Sequence, residues 1–385
     1  MIKKLGFGCM RLPLLDTNDQ TSVDLEQMNR MVDTFLARGF SYFDTALPYH
    51  AYHSEQFVRE ALVKRHPRES FKLATKLPPR MLKTEQDQQS IFDEQLKTCG
   101  VDFFDYYLLH NIGVSSYAQA KKFNCFDFVL RKKQDGLIRQ LGMSFHDTPE
   151  LLEEILALHH QDLDFVQLQI NYIDWENPGI QSRRCYEVAR KYNLPIIVME
   201  PCKGGNLAVL PEKAAALMQG YNPTASIPSW AIRYAAGLEG VMLVLSGMST
   251  LDQVLDNTTY MAEFTPLNDE EHEIIRQAVD IINADTAVAC TNCRYCVEHC
   301  PSNIPIPDYF ALYNSAKRAT SKNFSSQYVY YLNMSATYGK AQDCIGCRAC
   351  EEVCPQHLEV SAFMQDVSKA FDNGPGLATE RPSRA

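Results

Sequence analysis

The strongest constraint on this chain is a cysteine spacing that occurs twice near its C-terminal end. Cys290-x2-Cys293-x2-Cys296-x3-Cys300-Pro301 is followed by Cys344-x2-Cys347-x2-Cys350-x3-Cys354-Pro355. Three thiolates two residues apart can wrap one cubane iron–sulfur cluster on a tight loop. The fourth lies on the next helical turn and points away, so it ligates the other cluster. The spacing predicts two [4Fe–4S] clusters with crossed ligation. The first takes Cys290, Cys293, Cys296 and Cys354, and the second takes Cys344, Cys347, Cys350 and Cys300. A zinc ribbon also uses C-x2-C pairs, but zinc needs four ligands per ion and gains nothing from a third cysteine and a Cys-Pro in each run.

The 43 residues between Cys300 and Cys344 are too many for the compact ferredoxin repeat. Tyr309–Ala319 and Gln327–Ser335 read as helices, so this region resembles the α-helical ferredoxin modules of large dehydrogenases. The remaining cysteines (Cys9, Cys99, Cys125, Cys185 and Cys202) are scattered and read as ordinary buried thiols. The N-terminus lacks the apolar stretch of a signal peptide, and no apolar run approaches the ~20 residues of a membrane helix. Thirteen cysteines without export signals favour metal ligation in a reducing compartment over a disulfide framework. The expectation is a soluble cytoplasmic protein.

Upstream of the cysteines the pattern is different. Short apolar runs at Leu5–Met10, Tyr42–Asp44, Lys72–Lys76, Tyr106–His110, Arg139–Ser144, Phe165–Gln169, Ile196–Glu200 and Val241–Ser246 alternate with amphipathic stretches such as Asp24–Arg38, Glu55–Lys64 and Pro149–His159. Eight strands alternating with helices predict an α/β fold, a (β/α)8 TIM barrel. A doubly wound sheet competes, but the turn Gly6-Phe-Gly8-Cys-Met-Arg11 lacks the third glycine of a dinucleotide fingerprint. The expected organisation is a barrel over 1–284, a mainly α-helical dicluster ferredoxin-like domain over 285–372, and a loose Gly/Pro-rich tail over 373–385. The helical segment Asp269–Ala284 is long enough, at about 1.5 Å per residue, to carry the cysteine module back up the barrel wall to its catalytic mouth.

Asp44, Lys76 and His110 each fall at the C-terminal end of a predicted strand, where TIM-barrel active sites are built. Tyr49 lies in the loop after Asp44. A lysine beside a tyrosine favours the phenolate, and an aspartate holds that lysine charged. His110 is placed to polarise a substrate carbonyl. The runs Phe43-Asp44-Thr45-Ala46 with Tyr49, Ala74-Thr75-Lys76 and Leu108-Leu109-His110-Asn111 resemble the catalytic tetrad of the aldo-keto reductase family, and Gly204-Gly205 and Asp256-Asn257 are similar to it too. With the cysteine runs, the chain resembles the subgroup fused to a ferredoxin-type domain. The resemblance implies a nicotinamide cofactor, NAD(H) or NADP(H), and a small carbonyl or alcohol substrate, with Tyr49 as general acid.

At the nicotinamide site the sequence departs from the family pattern. Ser144 and Gln167 match the carboxamide-holding residues, but Phe145 replaces an asparagine, and Glu200 takes the position of an aromatic that stacks on the ring. Where the family grips the 2′-phosphate of NADP with cations, this chain has Gly247, Met248 and Gln253; the resemblance leaves Lys203 as a substitute. Ser249, opening a helix, can still present backbone N–H groups to a pyrophosphate. His50 and His53 are either pocket lining or loop surface.

These features leave open three functions. One is a nicotinamide-dependent carbonyl reductase carrying the clusters for structure or electron exchange. Another is a cluster- or flavin-assisted reductase, in which the module supplies single electrons to a barrel-bound substrate; no flavin signature is visible. The third, a scaffold subunit, is disfavoured by the intact tetrad. The net charge of −10 argues against nucleic acid and anionic membranes as partners and leaves room for an electron-carrier protein.

Overall fold

The computed structural model describes residues 3–284, 286–318 and 325–374. Eight strands form: β1 (Leu5–Gly8), β2 (Tyr42–Asp44), β3 (Lys72–Leu77), β4 (Phe104–Ile112), β5 (Ile138–Phe145), β6 (Phe165–Gln169), β7 (Ile196–Met199) and β8 (Val241–Gly247). Each pairs in parallel with the next, and β8 returns to β1, closing the predicted barrel. Strand alternation divides the apolar residues into two sets. Tyr42, Ala74, Tyr106, Leu108, Phe165 and Ile197 fill the interior. Phe7, Phe43, Leu109, Met143 and Val198 face the surrounding helices in a larger core. The filling is tight enough that a Cβ on Gly142 would lie 2.5 Å from the Phe165 ring.

The barrel helices are α1 (Leu25–Ala37), α2 (Ser54–Val58), α3 (Asp87–Cys99), α4 (Val114–Lys122), α5 (Cys125–Gln134), α6 (Pro149–His159), α7 (Ser182–Lys191), α8 (Glu212–Tyr221), α9 (Ile227–Gly237) and α10 (Leu251–Ala262). In α1 the expected periodicity buries Met28, Met31, Val32 and Phe35, and the Asp24 side chain caps the first turn. Two expectations need correction. Glu55–Lys64 is not one regular helix, because α2 passes into a π-helical turn at Arg59–Val63. The stretch Asn111–Phe126, expected as one of the loops that set the barrel's specificity, is not a loop either. Past the end of β4 it folds into α4, which buries Ser116, Tyr117 and Ala120, and the start of α5, which buries Cys125 and Phe126.

Helix α11 (Asp269–Ala284) packs Ile275, Ala278 and Ile282 against Ala214 and Met218 of α8 and leads to the cysteine runs. Beyond it lie α12 (Tyr295–Glu298), α13 (Ile306–Lys317), α14 (Ser326–Met334), α15 (Ala349–Glu352) and α16 (Val360–Phe371). These helices share a core of their own around Tyr309, Phe310, Leu312, Tyr331, Met364 and Val367. Residue 285, the end of the helix expected over Tyr309–Ala319, and all but the first two residues of the expected tail lie outside the described residues.

The module sits on the barrel's C-terminal mouth. Ile180, in the loop after β6, is buried in the module core, and Leu312 of α13 closes to within 3.1 Å of a Cβ built on Gly179. Helix α14 lies across the loops that follow β3, β5 and β7, bonding to Arg80, His146 and Glu200. Among the described residues, no helix is long and apolar enough to cross a membrane.

Candidate active site

The inward-facing positions at the mouth ends of β2, β3 and β4 are Asp44, Lys76 and His110. Alternation from Tyr42, Ala74 and Leu108 puts them there. Lys76 is 1% exposed and Asp44 3%. The Lys76 ammonium donates to Asp44 Oδ1 at 2.5 Å and to the Thr45 carbonyl at 2.8 Å. Gln167 on β6 donates to the other Asp44 oxygen at 3.3 Å. Lys76 Nζ lies 5.0 Å from the centroid of the Tyr49 ring, and that ring meets His110 edge-on with centroids 6.0 Å apart. Behind the site, Gln95 donates to the Lys76 carbonyl at 3.0 Å and to the buried Glu55 carboxylate at 2.8 Å, so the lysine's backbone is pinned from outside the barrel.

The electrostatics correct one expectation. Burial raises the Tyr49 hydroxyl above its ordinary value, and the opposing charge and hydrogen bond of Lys76 only partly offset this. The expected lowering by the lysine is therefore reversed, and at neutral pH Tyr49 carries the proton that the general-acid role needs. Burial would lower Lys76, but Asp44 and Tyr49 together outweigh it and the net direction is upward. His110 is held well below its usual range by burial, then by the charge of Lys76 and by His146, so its ring is neutral.

Around the mouth the remaining predicted residues divide. Ser144 accepts from the Asn111 backbone N–H at 2.8 Å and pairs in register with Gln167. Phe145 faces the outer core. The Glu200 backbone is left-handed, at φ 55°, which ends β7 one residue short of expectation. Its carboxylate accepts from Ser326 of α14 at 3.1 Å, and burial raises it, with Lys203 opposing. Gly204, with φ 65°, and Gly247 flank the cleft between the loops after β7 and β8. Ser249 donates to the Arg11 carbonyl at 2.9 Å, and Gln253 accepts from the Ser249 N–H at 2.7 Å.

Other predicted contacts are turned inward. Met248 is fully buried in the core. Asp256 accepts from Ser226 at 2.6 Å and braces α10 against the start of α9, while Asn257 donates to Ser246 at 2.9 Å and ties α10 to β8. Lys203 is 4% exposed and forms an ion pair with the fully buried Asp174, which also accepts from Gln169 and Asn171. It cannot serve as the spare cation. His50 spends both ring nitrogens on backbone, at Leu12 and Gln20, while His53 is an exposed loop residue.

Two residues escaped the sequence reading. Arg11, half-buried in the turn after β1, threads between Gly204 and Gly247. A Cβ would approach its Nη2 to 2.9 Å at the first position and its side-chain carbons to 3.3 Å at the second. Among the described residues its guanidinium makes no hydrogen bond or ion pair, and its charge acts on Glu200. The weak signal was a lone cation at the end of the Gly6–Arg11 turn. His146, 8% exposed, lies just past β5, and its Nδ1 is buried without a partner.

In the module, Cys290, Cys293, Cys296 and Cys354 line one pocket, beside Ile306, Pro307 and Phe310. Cys300, Cys344, Cys347 and Cys350 line a second. The two runs share one local geometry, with Arg294 and Arg348 in left-handed conformation before the short helices α12 and α15. Among the described residues no three His, Cys, Asp or Glu side chains close on a point that holds a single metal ion. Zinc would draw four sulfurs to ~2.3 Å from one centre. Sulfurs spread around an apolar cavity instead fit a polynuclear cluster. Burial pushes the Cys296 thiol up to about 12 and Cys350 up to about 11, so the positive charge of bound iron would be needed to hold these sulfurs as thiolates.

A model of the aldo/keto reductase family matches residues 4–280, and a model of a 4Fe-4S dicluster domain matches residues 289–358. No curated protein matches. Among solved structures, the holo form of an aldo-keto reductase from Bacillus halodurans is 26% identical, with a TM-score of 0.56, covering 71% of this chain and 91% of that one. An aldo-keto reductase from Klebsiella pneumoniae in complex with NADPH shares the barrel fold at 17% identity and a TM-score of 0.55, covering 72% of this chain and 90% of that one.

Proposed function

The chain belongs to the aldo/keto reductase family, and on that premise we propose that it reduces the carbonyl of a small substrate with a nicotinamide cofactor, beneath a module built for two [4Fe–4S] clusters. The observation that carries this reading is the buried Asp44–Lys76 pair with a protonated Tyr49 over it and a neutral His110 beside it. Tyr49 donates its proton to the carbonyl oxygen. Lys76 stands by to stabilise the phenolate that remains, which is the moment its charge counts most. His110 supplies a ring N–H to the same oxygen, and Asp44 keeps Lys76 charged and in place. The cofactor supplies the hydride. Arg11, whose guanidinium makes no hydrogen bond or ion pair among the described residues, and the Gly204 turn beside it suit its phosphates; Ser144 and Gln167 stand near the tetrad, where a carboxamide needs hydrogen-bonding groups.

We read residues 1–284 and 285–372 as two folding units, the second holding clusters through the crossed cysteine sets. The reducing conditions those thiolates need favour the cytoplasm. The test of the tetrad is Tyr49→Phe, which removes the proton donor at nearly constant volume. Turnover should fall by about 10²- to 10⁴-fold, the usual share of general acid catalysis, with cofactor affinity retained. Near wild-type turnover would exclude Tyr49 as the acid.

A second reading, in which the clusters exchange electrons with the barrel site or an outside carrier, is favoured by one observation: α14 covers the mouth and its Ser326 bonds Glu200. Anaerobic addition of NADH, followed by cluster absorbance and EPR, decides it. Clusters that stay oxidised under NADH and substrate alike, yet reduce with dithionite, leave the module structural.

A further inference from the structure

The mouth carries a second cation on the side opposite Arg11. Arg80 lies in a 3-10 turn, Pro79–Met81, immediately after β3 and four residues past Lys76. Its guanidinium is half-buried, and Nη2 donates to Asn333 Oδ1 of α14 at 2.7 Å. Its Nε is buried with no partner. No ion pair neutralises it among the described residues. Asp147 acts on it at longer range but spends its oxygens on the backbone N–H groups of Val114 and Thr148, at 2.8 and 2.7 Å. A cation drawn out of water without a counter-charge is costly, and an orphaned donor on it adds to the cost. Such an arrangement persists where it serves a ligand.

The surroundings have the character of a built site. Asn333 is 1% exposed and joins three elements: it accepts from Arg80, donates to the His146 carbonyl at 2.7 Å, and lies so close to Gly113 that a Cβ there would stand 2.4 Å from its amide nitrogen. His146 therefore stands beside Arg80, tied to it through one amide. Its Nδ1 is the second buried, unpartnered polar atom of the cluster. Its ring packs on Tyr330 of α14, centroids 6.0 Å apart. The ring is held neutral, near 4, by burial and then by the charges of Lys76 and Arg80, which puts it within electrostatic reach of the tetrad. It adds a hydrogen-bonding group without adding a charge.

We propose that Arg80 receives an anionic group of the substrate, a carboxylate or a phosphate, so that the preferred substrates are anion-bearing ketones or aldehydes, and that Asn333 of the cluster-bearing module holds Arg80 for this task. The inference rests on the reductase reading and deepens it by naming the substrate class. Guanidinium is the group best suited to such an anion, because its planar fork offers two parallel N–H bonds. With Arg11 on the β7–β8 side and Arg80 on the β3–β5 side, the tetrad lies between a cofactor-facing and a substrate-facing cation. The module then completes the substrate site, since removing α14 would free Arg80 and His146 together.

The experiment uses the full-length, cluster-loaded protein under anaerobic conditions and compares matched pairs: pyruvate with methyl pyruvate, and dihydroxyacetone phosphate with dihydroxyacetone. One anionic partner should be preferred in kcat/KM by about tenfold or more, as expected for a charged hydrogen-bonded pair, and which pair shows it tells carboxylate from phosphate. Arg80→Met should remove the preference, acting mainly on KM. Asn333→Ala should reduce it with cluster absorbance unchanged. Calorimetric titration with oxalate and with inorganic phosphate gives a readout independent of turnover. One of these anions should bind wild type and Tyr49→Phe alike, and bind Arg80→Met at least about tenfold more weakly. Equal use of charged and neutral carbonyls, an equal loss on both in Arg80→Met, or no binding of either anion to wild type overturns the proposal. Anion binding that survives while Tyr49→Phe keeps full activity would instead count against the tetrad alone.

Discussion

Lys76→Met tests the centre of the site. The substitution keeps most of the side-chain volume, so little of its effect comes from a cavity. It removes the charged donor's hydrogen bonds to Asp44 at 2.5 Å and to the Thr45 carbonyl at 2.8 Å, along with its hold on Tyr49. What remains for Asp44 is Gln167 at 3.3 Å, near the limit of a useful hydrogen bond. With both partners of the pair under 5% exposed, water cannot take the place of the lysine. Breaking such a pair by removing one partner costs about 3–5 kcal/mol, because the other charge stays buried. For a domain the size of this barrel, each kcal/mol lowers Tm by roughly 2–4 °C, so a drop of about 10 °C is expected. Far-ultraviolet circular dichroism of anaerobic protein reports the barrel, and cluster absorbance followed in the same melt separates its unfolding from loss of iron. Asp44→Asn combined with Lys76→Met removes both charges and should recover most of the lost stability. A single variant melting within about 2 °C of wild type, under 1 kcal/mol by the same conversion, would show that the pair is not buried as argued. So would a double variant less stable than the single.

The pH profile follows from the same electrostatics. Reduction needs a protonated Tyr49, whose hydroxyl is raised above its ordinary 10.0, and a neutral His110, whose ring is lowered well below 6.5. Turnover in the reductive direction should therefore be flat between those values, and an alkaline loss setting in at about pH 8 would contradict the burial argument. Anaerobic preparations should hold about eight iron and eight sulfide per chain. Cys300→Ser should perturb the cluster of the second run and Cys354→Ser that of the first; a mutation acting only on its own run would reject the crossed sets. Arg11→Met should weaken NADH and NADPH alike by about tenfold or more, the effect of one lost charged hydrogen bond on a phosphate both share. Since Lys203 is consumed by Asp174, a wild-type NADPH preference above about a hundredfold would mean that a different cation grips the 2′-phosphate.

What could be read from the sequence was local or strictly periodic. Cluster ligands lie within eleven residues of one another in each run, so their spacing carries the chemistry before any fold is known. The barrel is written in the recurrence of eight apolar runs, and Asp44, Lys76 and His110 stand out because they end three of the runs read from the sequence. Whatever depended on distant segments meeting in space was decided by tertiary structure. Spacing suggested that a lysine would draw the Tyr49 hydroxyl down, but burial by the assembled mouth outweighs that lysine and the net direction is upward. Lys203 reads as a free cation until the fold sets Asp174 against it. Arg11 becomes a site residue only when the closed barrel brings Gly204 and Gly247 to either side of it. Asn333, unremarkable within its helix, acquires a role because α14 is folded back over loops some two hundred residues earlier, joining Arg80 to His146. Burial and charge pairing are properties of neighbours, and for these residues the neighbours are far apart along the chain.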